Sequence, residues 1–346
     1  MSTLKIRLAQ NAALLTAIGS FILFYVFYNA NHPRGFSTAV LIQNSNEVFT
    51  LAMVAMAQTV PVLLGGLDLS VGAIMTLVNV IASHLLNGSP LQIFFGMVVS
   101  LFAGAACGFL NGCIVVYGRI QPIIATLATG AIFLGLALFL RPSPGGNVDD
   151  DLSWAATNDL YEIAATYGFA DGGDAAWFQP IAWLPVPLVL LVIVAVVFWL
   201  PFARSVTGRT VYAIGSGEGA AYMSGLPINR AKIAAFTLGG FFAGIGGLYL
   251  TLQTSSGNAD IPQAGAYTLN SIAAVVIGGT ALLGGGGSAI GSIFGALILR
   301  TISFNFRIFE IDPLMQPLFE GVVLLAAVSL GAIQVLRVKN RLELFR

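Results

Sequence analysis

From Leu91 to Tyr117 the chain runs without a single charged side chain. A helix needs about 20 apolar residues to cross roughly 30 Å of hydrocarbon, and a run this long that is apolar on every face belongs in a lipid environment. Nine further runs repeat the pattern: Ala12 to Tyr28, Val48 to Leu64, Val71 to Leu85, Pro122 to Leu140, Pro187 to Phe202, Ala231 to Leu252, Leu269 to Leu283, Ala289 to Phe304 and Leu314 to Leu336. With 57% hydrophobic and 9% charged residues, against roughly 25% charged in soluble domains, the reading is an all-α integral membrane protein with about ten transmembrane helices. The whole chain, 1–346, reads as one transmembrane domain.

The first run follows Lys5 and Arg7 and resembles a signal peptide. It has no small-residue cleavage site and is long enough to span, so it reads as an uncleaved first helix. The formal net charge is zero and there is no basic cluster, which removes nucleic acid and an anionic membrane surface as obvious partners. Cys107 and Cys113 lie inside an apolar run without ligand-like spacing, so neither a disulfide nor a metal site is expected.

Arginine and lysine set the orientation. With a cytoplasmic N-terminus, ten crossings put Lys5, Arg7, Arg119, Arg204, Arg209, Arg230, Lys232, Arg337, Lys339, Arg341 and Arg346 inside and leave Arg34, Arg141 and Arg307 outside, as the positive-inside bias requires. Both termini are then cytoplasmic. Arg300, near the end of the ninth run, reads as a snorkelling side chain.

Between two of the apolar runs lies GGLDLSVG, Gly65 to Gly72. A carboxylate at membrane depth is costly unless it is paired or wet. One reading is local: Asp68 or Ser70 caps the helix that begins near Val71, satisfying backbone that lipid cannot. The other is a broken, re-entrant segment that opens onto a polar path, with Gln58, Thr59, Asp68 and Ser70 on one side; the two are compatible. A second glycine-rich break, GGTALLGGGGSAIG at Gly278 to Gly291, echoes the first. It lacks the lysine of a phosphate loop, and no GxxxxGK[ST] occurs in the chain, so ATP is not bound here in that way. Thr126, Asn270 and Ser271, with Asn79, Asn111, Thr129 and Thr280, add uncharged polar groups to the spans. Such groups suit a neutral, hydroxyl-rich solute that exchanges its hydrogen bonds one at a time.

Two loops carry further signals. The outer one, 141–183, is acidic and aromatic, with Asp149, Asp150, Asp151, Asp159, Glu162, Asp171 and Asp174 beside Trp154, Trp177 and Trp183. It reads as a short helix at the headgroups or as a docking surface for an extracytoplasmic partner. In the inner loop, 205–230, Ser216 can cap a short helix, Glu218 sits in its first turn, Gly225 offers a left-handed stop and Pro227 prevents continuation. A helix of about two turns is unstable alone in water, so it packs on its own bundle or fits a cleft on a cytoplasmic protein. The spacings Gly104–Gly108–Gly112, Gly240–Gly244 and Gly291–Gly295 predict closely packed helices.

Three ordered motifs, GGLDLSVG, YAIGSGEGAAYMSG at Tyr212 to Gly225 and AAVVIGGTALLGGGGSAIGSIFGALI at Ala273 to Ile298, resemble the permease subunits of bacterial ABC importers of the ribose, xylose and galactose type. The resemblance implies a ten-helix type II fold like that of the vitamin-B12 importers, in the inner membrane. It also implies a second permease subunit, identical or paralogous, a periplasmic binding protein that delivers a sugar, and a cytoplasmic ATPase that binds ATP and Mg. In that light Ser216, Gly217, Glu218, Ala220, Ala221, Tyr222, Met223, Ser224 and Gly225 correspond to the coupling helix gripped by the ATPase, and the Asp68 motif lies beside the translocation path. The chain departs from the family pattern where Ser216 and Gly217 replace Asn-Pro, where Tyr222 replaces an arginine, where Asn270 stands near an expected acid, and where Pro61 interrupts a span.

The alternative class is an ion-coupled secondary transporter of a small polar solute. Such proteins hold several intramembrane ionisable groups, whereas Asp68 stands nearly alone. A membrane enzyme finds no plausible acid–base pair in His32 and His84.

Overall fold

The computed structural model describes residues 12–168 and 181–315, with isolated positions up to 329. Among the described residues twelve α-helices follow in order: α1 (Ala12–Asn31), α2 (Thr38–Leu63), α3 (Val71–Leu85), α4 (Pro90–Tyr117), α5 (Pro122–Leu140), α6 (Asp150–Thr157), α7 (Leu160–Thr166), α8 (Val186–Arg204, with a π-helical turn at Ala195–Trp199), α9 (Val206–Met223), α10 (Ile228–Thr254), α11 (Ile261–Ile277) and α12 (Ala289–Ile308). Among the described residues no strand occurs, and two isolated bridges, Gly145 with Gly257 and Asp159 with Pro185, are the extended pairings. Among the described residues seven helices, α1, α2, α4, α5, α8, α10 and α12, are long and apolar enough to cross a membrane, while α3 and α11 are shorter apolar helices. Most of the expected tenth span lies outside the described residues, as do Asp171, Asp174 and Trp177 of the outer loop.

α2 is the axis of the bundle. Its apolar window is 89% buried, against 17% for α1 and 22% for α8, so α1 and α8 are the peripheral helices. The helix begins at Thr38, capped by the Ser37 hydroxyl, well before the expected Val48. The polar stretch Gln43 to Glu47 conceals this start because Asn46 and Glu47 are used inside the bundle. Asn46 donates to the Thr157 carbonyl at 2.8 Å and accepts from the Tyr249 hydroxyl, and Glu47 holds Arg307 of α12 through two contacts of 2.6 Å. Pro61 does not interrupt the helix; it sits in the last turn, which continues to Leu63.

α10 packs along α4, α2 and α3. Its approach to α4 is set by glycine, as the spacing predicts. A β-carbon on Gly108 would lie 2.2 Å from the Phe236 carbonyl oxygen, and one on Gly240 would lie 2.3 Å from that of Gly104. Backbones meet directly there, which is how helices gain dispersion contact where lipid offers no hydrophobic drive.

α11 corrects the expected eighth span. It runs from Ile261 to Ile277, not from Leu269 to Leu283, and an aspartate, Asp260, caps it by accepting from the Gln263 amide. Asn270 is therefore mid-helix, and the acid at this helix start is Asp260. The outer loop forms two short helices in place of the expected one, α6 and α7, capped by Asp149 and Asp159.

Candidate functional site

The loop after α2 turns at Gly65, whose φ of +81° favours glycine, and reaches α3 through Asp68 and Ser70. Both are fully buried. One Asp68 carboxylate oxygen accepts from the Ser70 amide at 2.8 Å and from the Ser70 hydroxyl at 2.6 Å. The Ser70 hydroxyl in turn accepts from the Asn111 side chain of α4 at 2.7 Å. Gln58 of α2 places its amide against the backbone of Asp68; with the amide turned so that its nitrogen meets the carbonyl, it donates there at 2.8 Å and accepts from the N–H at 3.3 Å. Thr126 of α5 accepts from the Leu69 amide at 2.9 Å, and Thr268 of α11 accepts from the Gly72 amide at 3.2 Å. Side chains of α2, α5 and α11 thus satisfy a break in the backbone that lipid could not hydrate, and α4 braces it through Ser70.

This arrangement corrects the simple capping reading. Ser70 occupies the N-cap position of α3 without a side-chain cap bond, because its hydroxyl is committed to Asp68. Asp68 stabilises the turn ahead of the helix, and the helix amide at Gly72 is met by Thr268. The second Asp68 oxygen and the Asn111 oxygen have no partner among the described residues.

The structure brings Gln58, Asp68, Ser70 and Thr126 together and leaves the other expected path residues apart. Thr59 lies 2.7 Å from the Ser292 hydroxyl of α12, and Ser271 donates to the Thr268 carbonyl within its own helix. Of the seven, six are sealed from solvent, while Asn270 is half-buried. Thr268 is the residue at the break that sequence reading passes over; Asn111 stands out only as one of several uncharged polar groups in the spans.

The two glycine breaks meet. The Gly285 amide donates to the Leu63 carbonyl at 3.0 Å, and a β-carbon on Gly284 would stand 2.6 Å from the Gly65 nitrogen. α9 enters the same junction: a β-carbon on Gly215 would lie 1.9 Å from the Leu63 carbonyl oxygen and 2.3 Å from the Gly285 nitrogen. The Tyr212 hydroxyl donates to the Gly287 carbonyl at 2.8 Å, and burial pushes its phenol above the ordinary range, so it remains a donor. A cavity of about 490 Å³ lies beside the break, bounded by Gly65, Gly66, Arg119, Gln121, Glu218 and Lys232 among others.

α9 is longer than the expected Ser216–Gly225 helix. It begins at Val206, capped by Ser205, and its backbone leaves helical geometry at Gly217, so Glu218–Met223 forms a separate last segment. Ser216 does not cap that segment; its hydroxyl donates back to the Tyr212 carbonyl at 2.9 Å. Glu218 pairs with Lys232 of α10 at 2.6 Å, Ala221 is buried against the bundle, and Tyr222 and Met223 are 72% and 85% exposed. Gly225 takes the expected left-handed turn at φ +73°. One face of the tip is anchored and the other presents apolar side chains.

Among the described residues no group of three or more histidine, cysteine, aspartate or glutamate side chains could hold a metal ion. Comparison with known proteins supplies the class. The chain matches the family described as branched-chain amino acid transport system / permease component over residues 40–328. It is 32% identical to the ribose import permease protein RbsC of Haemophilus influenzae, over 86% of each chain. It is 31% identical to RbsC of Bacillus subtilis, over 90% of each, and 31% identical to the fructose import permease protein FrcC of Rhizobium meliloti, over 92% of this chain and 83% of that one. No solved structure matches. A family match over most of the chain, with relatives above 30% identity along nearly all of it, shows that the chain belongs to this family of transport permease components and is a membrane transport subunit, not an enzyme.

Proposed function

We propose that the chain is the membrane-spanning permease subunit of an ATP-driven importer, forming the path for a monosaccharide delivered by a periplasmic binding protein. The observation that carries the reading is the anchored and kinked tip of α9, with Tyr222 and Met223 outward, in a chain whose relatives are named as ribose and fructose import permeases. On this reading Ser216 to Gly225 is the surface held by a cytoplasmic ATPase, which binds ATP and Mg, and a second permease subunit completes the path. The fold is the ten-helix type II architecture in the bacterial inner membrane, with both termini cytoplasmic and α9 on the inner side.

The cluster of Gln58, Asp68, Ser70 and Thr126 is proposed to flank that path, with Thr59, Asn270 and Ser271 at other points along it. In the described conformation it is sealed. Motion of the α9 tip, passed through Gly215 to both glycine breaks, would part the helices that now cover it; the ligand-driven shift between two packed states is the general form of such a switch.

The test is uptake by proteoliposomes holding the permease, its ATPase and its binding protein. Uptake of D-ribose or D-fructose that requires hydrolysable ATP supports the proposal. Uptake by the permease alone under a proton gradient would establish the ion-coupled class instead.

A further inference from the structure

At the opposite end of α2 from the glycine junction lies a second cavity, of about 340 Å³, between α1, α2 and α12. Asn44 on its wall precedes Leu63 by enough helix to place it about 28 Å from the junction, at 1.5 Å per residue. On the orientation proposed above this is the outer, entry side. We propose that this cavity is a binding site for a neutral polyhydroxylated solute, a monosaccharide, used before the solute enters the central path. The proposal deepens the importer reading and rests on it for its place in transport.

Three observations converge. First, Asn44 is 6% exposed, and its side-chain nitrogen has no hydrogen-bond partner, while its oxygen faces the Tyr28 hydroxyl at 3.4 Å. A buried amide donor left unmet costs its full desolvation, and a small turn of this wall side chain toward the cavity would let a solute hydroxyl oxygen meet it. Second, the walls are aromatic. Tyr28 lies 5.7 Å from Phe304 and 5.3 Å from the His32 ring, centroid to centroid, offering apolar ring surface next to polar edges, the mixed lining on which small-molecule sites depend. Third, the arginine on the wall is already paired, and Glu310 adds a carboxylate to the lining. Arg307 is held by Glu47 through two contacts of 2.6 Å and lies over the Phe304 ring at 5.7 Å. A compensated guanidinium keeps N–H groups to offer but no net charge to attract an anion. Gln43 adds one more neutral amide to the lining. The volume falls at the small end of ligand sites, which run from about 300 to 1,000 Å³.

The purified permease in lipid nanodiscs, without its binding protein, tests this by saturation-transfer NMR with millimolar D-ribose and D-fructose. Two variants accompany it: Asn44→Leu, which removes the unmet donor, and His32→Ala in the partly exposed loop after α1, which removes one ring of the wall from outside the helices. The expected result is saturation transfer to one of the sugars that falls about fivefold in each variant, the scale of one neutral hydrogen bond, with the thermal midpoint unchanged in His32→Ala. No transfer in the parent protein, or transfer equal in all three, overturns the site even where the assembled importer takes up sugar. Variant-sensitive transfer in a complex that imports no monosaccharide supports the site and overturns the importer reading.

Discussion

The Leu63 carbonyl, last in α2, accepts the Gly285 amide at 3.0 Å, and Gly215 of α9 leaves no room for a side chain beside that bond. Three segments far apart in sequence therefore share one point, where the break after α2, the break before α12 and the cytoplasm-facing helix on the proposed orientation meet backbone to backbone. A junction without intervening side chains has little slack, since packed interiors shift between discrete arrangements and do not stretch.

Gly215→Val should break this junction. The new β-carbon would lie 1.9 Å from the Leu63 oxygen, and forced overpacking typically costs about 1–3 kcal/mol. Thermal unfolding in detergent should show the loss, and ATP-driven uptake should fall with it. Gly265→Ala on α11, where nothing lies within 4 Å, should leave both unchanged.

The glycine seam between α4 and α10 makes a matching case without a transport role. Gly108→Leu should destabilise the protein by at least about 1–3 kcal/mol, because the Phe236 carbonyl stands 2.2 Å from the added carbon. Gly135→Ala on α5 meets nothing within 4 Å and should be silent in the same assay.

Asp68 separates the transporter classes. In Asp68→Asn the amide oxygen keeps both bonds from Ser70, and the new NH2 replaces an oxygen that has no donor. ATP-driven uptake should stay within about threefold of the parent, less than the worth of one hydrogen bond. An ion-coupled carrier would lose coupling altogether. Asp68→Leu strands the Ser70 amide and should cost about 1–3 kcal/mol in unfolding measurements.

The Glu218–Lys232 pair ties the α9 tip to α10 at 2.6 Å, with side chains 55% and 22% exposed. A bridge this open contributes about 1 kcal/mol or less, so Lys232→Glu should hardly move stability. It should instead loosen the tip and lower uptake per ATP hydrolysed. Restoring the pair in reversed order, with Glu218→Lys added, should recover the ratio; failure to recover it would show that the bridge does not position the tip.

Much of this was legible from sequence because lipid imposes one strict rule, an apolar run wherever a helix faces oil. The runs at α4, α5 and α12 appear where hydropathy puts them, and the glycine spacings mark the α4–α10 contact. The start of α2 was hidden because Gln43 to Glu47 look like loop residues, yet Asn46 and Glu47 find partners on Thr157, Tyr249 and Arg307 that are remote in sequence. The register of α11 was misplaced for a related reason: apolar content continues past its end into Ala281 to Leu283, whereas the helix is set by the Asp260 cap and by glycine at 278. At the site, Asp68 and Ser70 announce themselves as polar groups in oil. Gln58 reads with them as part of one polar path, whereas Asn111 and Thr268 are ordinary polar residues until the fold brings them to the same loop.

The most direct test of the central claim is a pair of spin-label distances in the assembled transporter, read in the nucleotide-free and ATP-bound states. Labels at Tyr222 and Leu283, which are 72% and 69% exposed, report on the α9 tip and the glycine loop; a second pair, Leu283 with Phe36, which is 72% exposed, spans the bundle. A tip joined to the breaks predicts an unchanged Tyr222–Leu283 distance and a changed Leu283–Phe36 distance between states. A Tyr222–Leu283 distance that moves while Leu283–Phe36 stays fixed would contradict it.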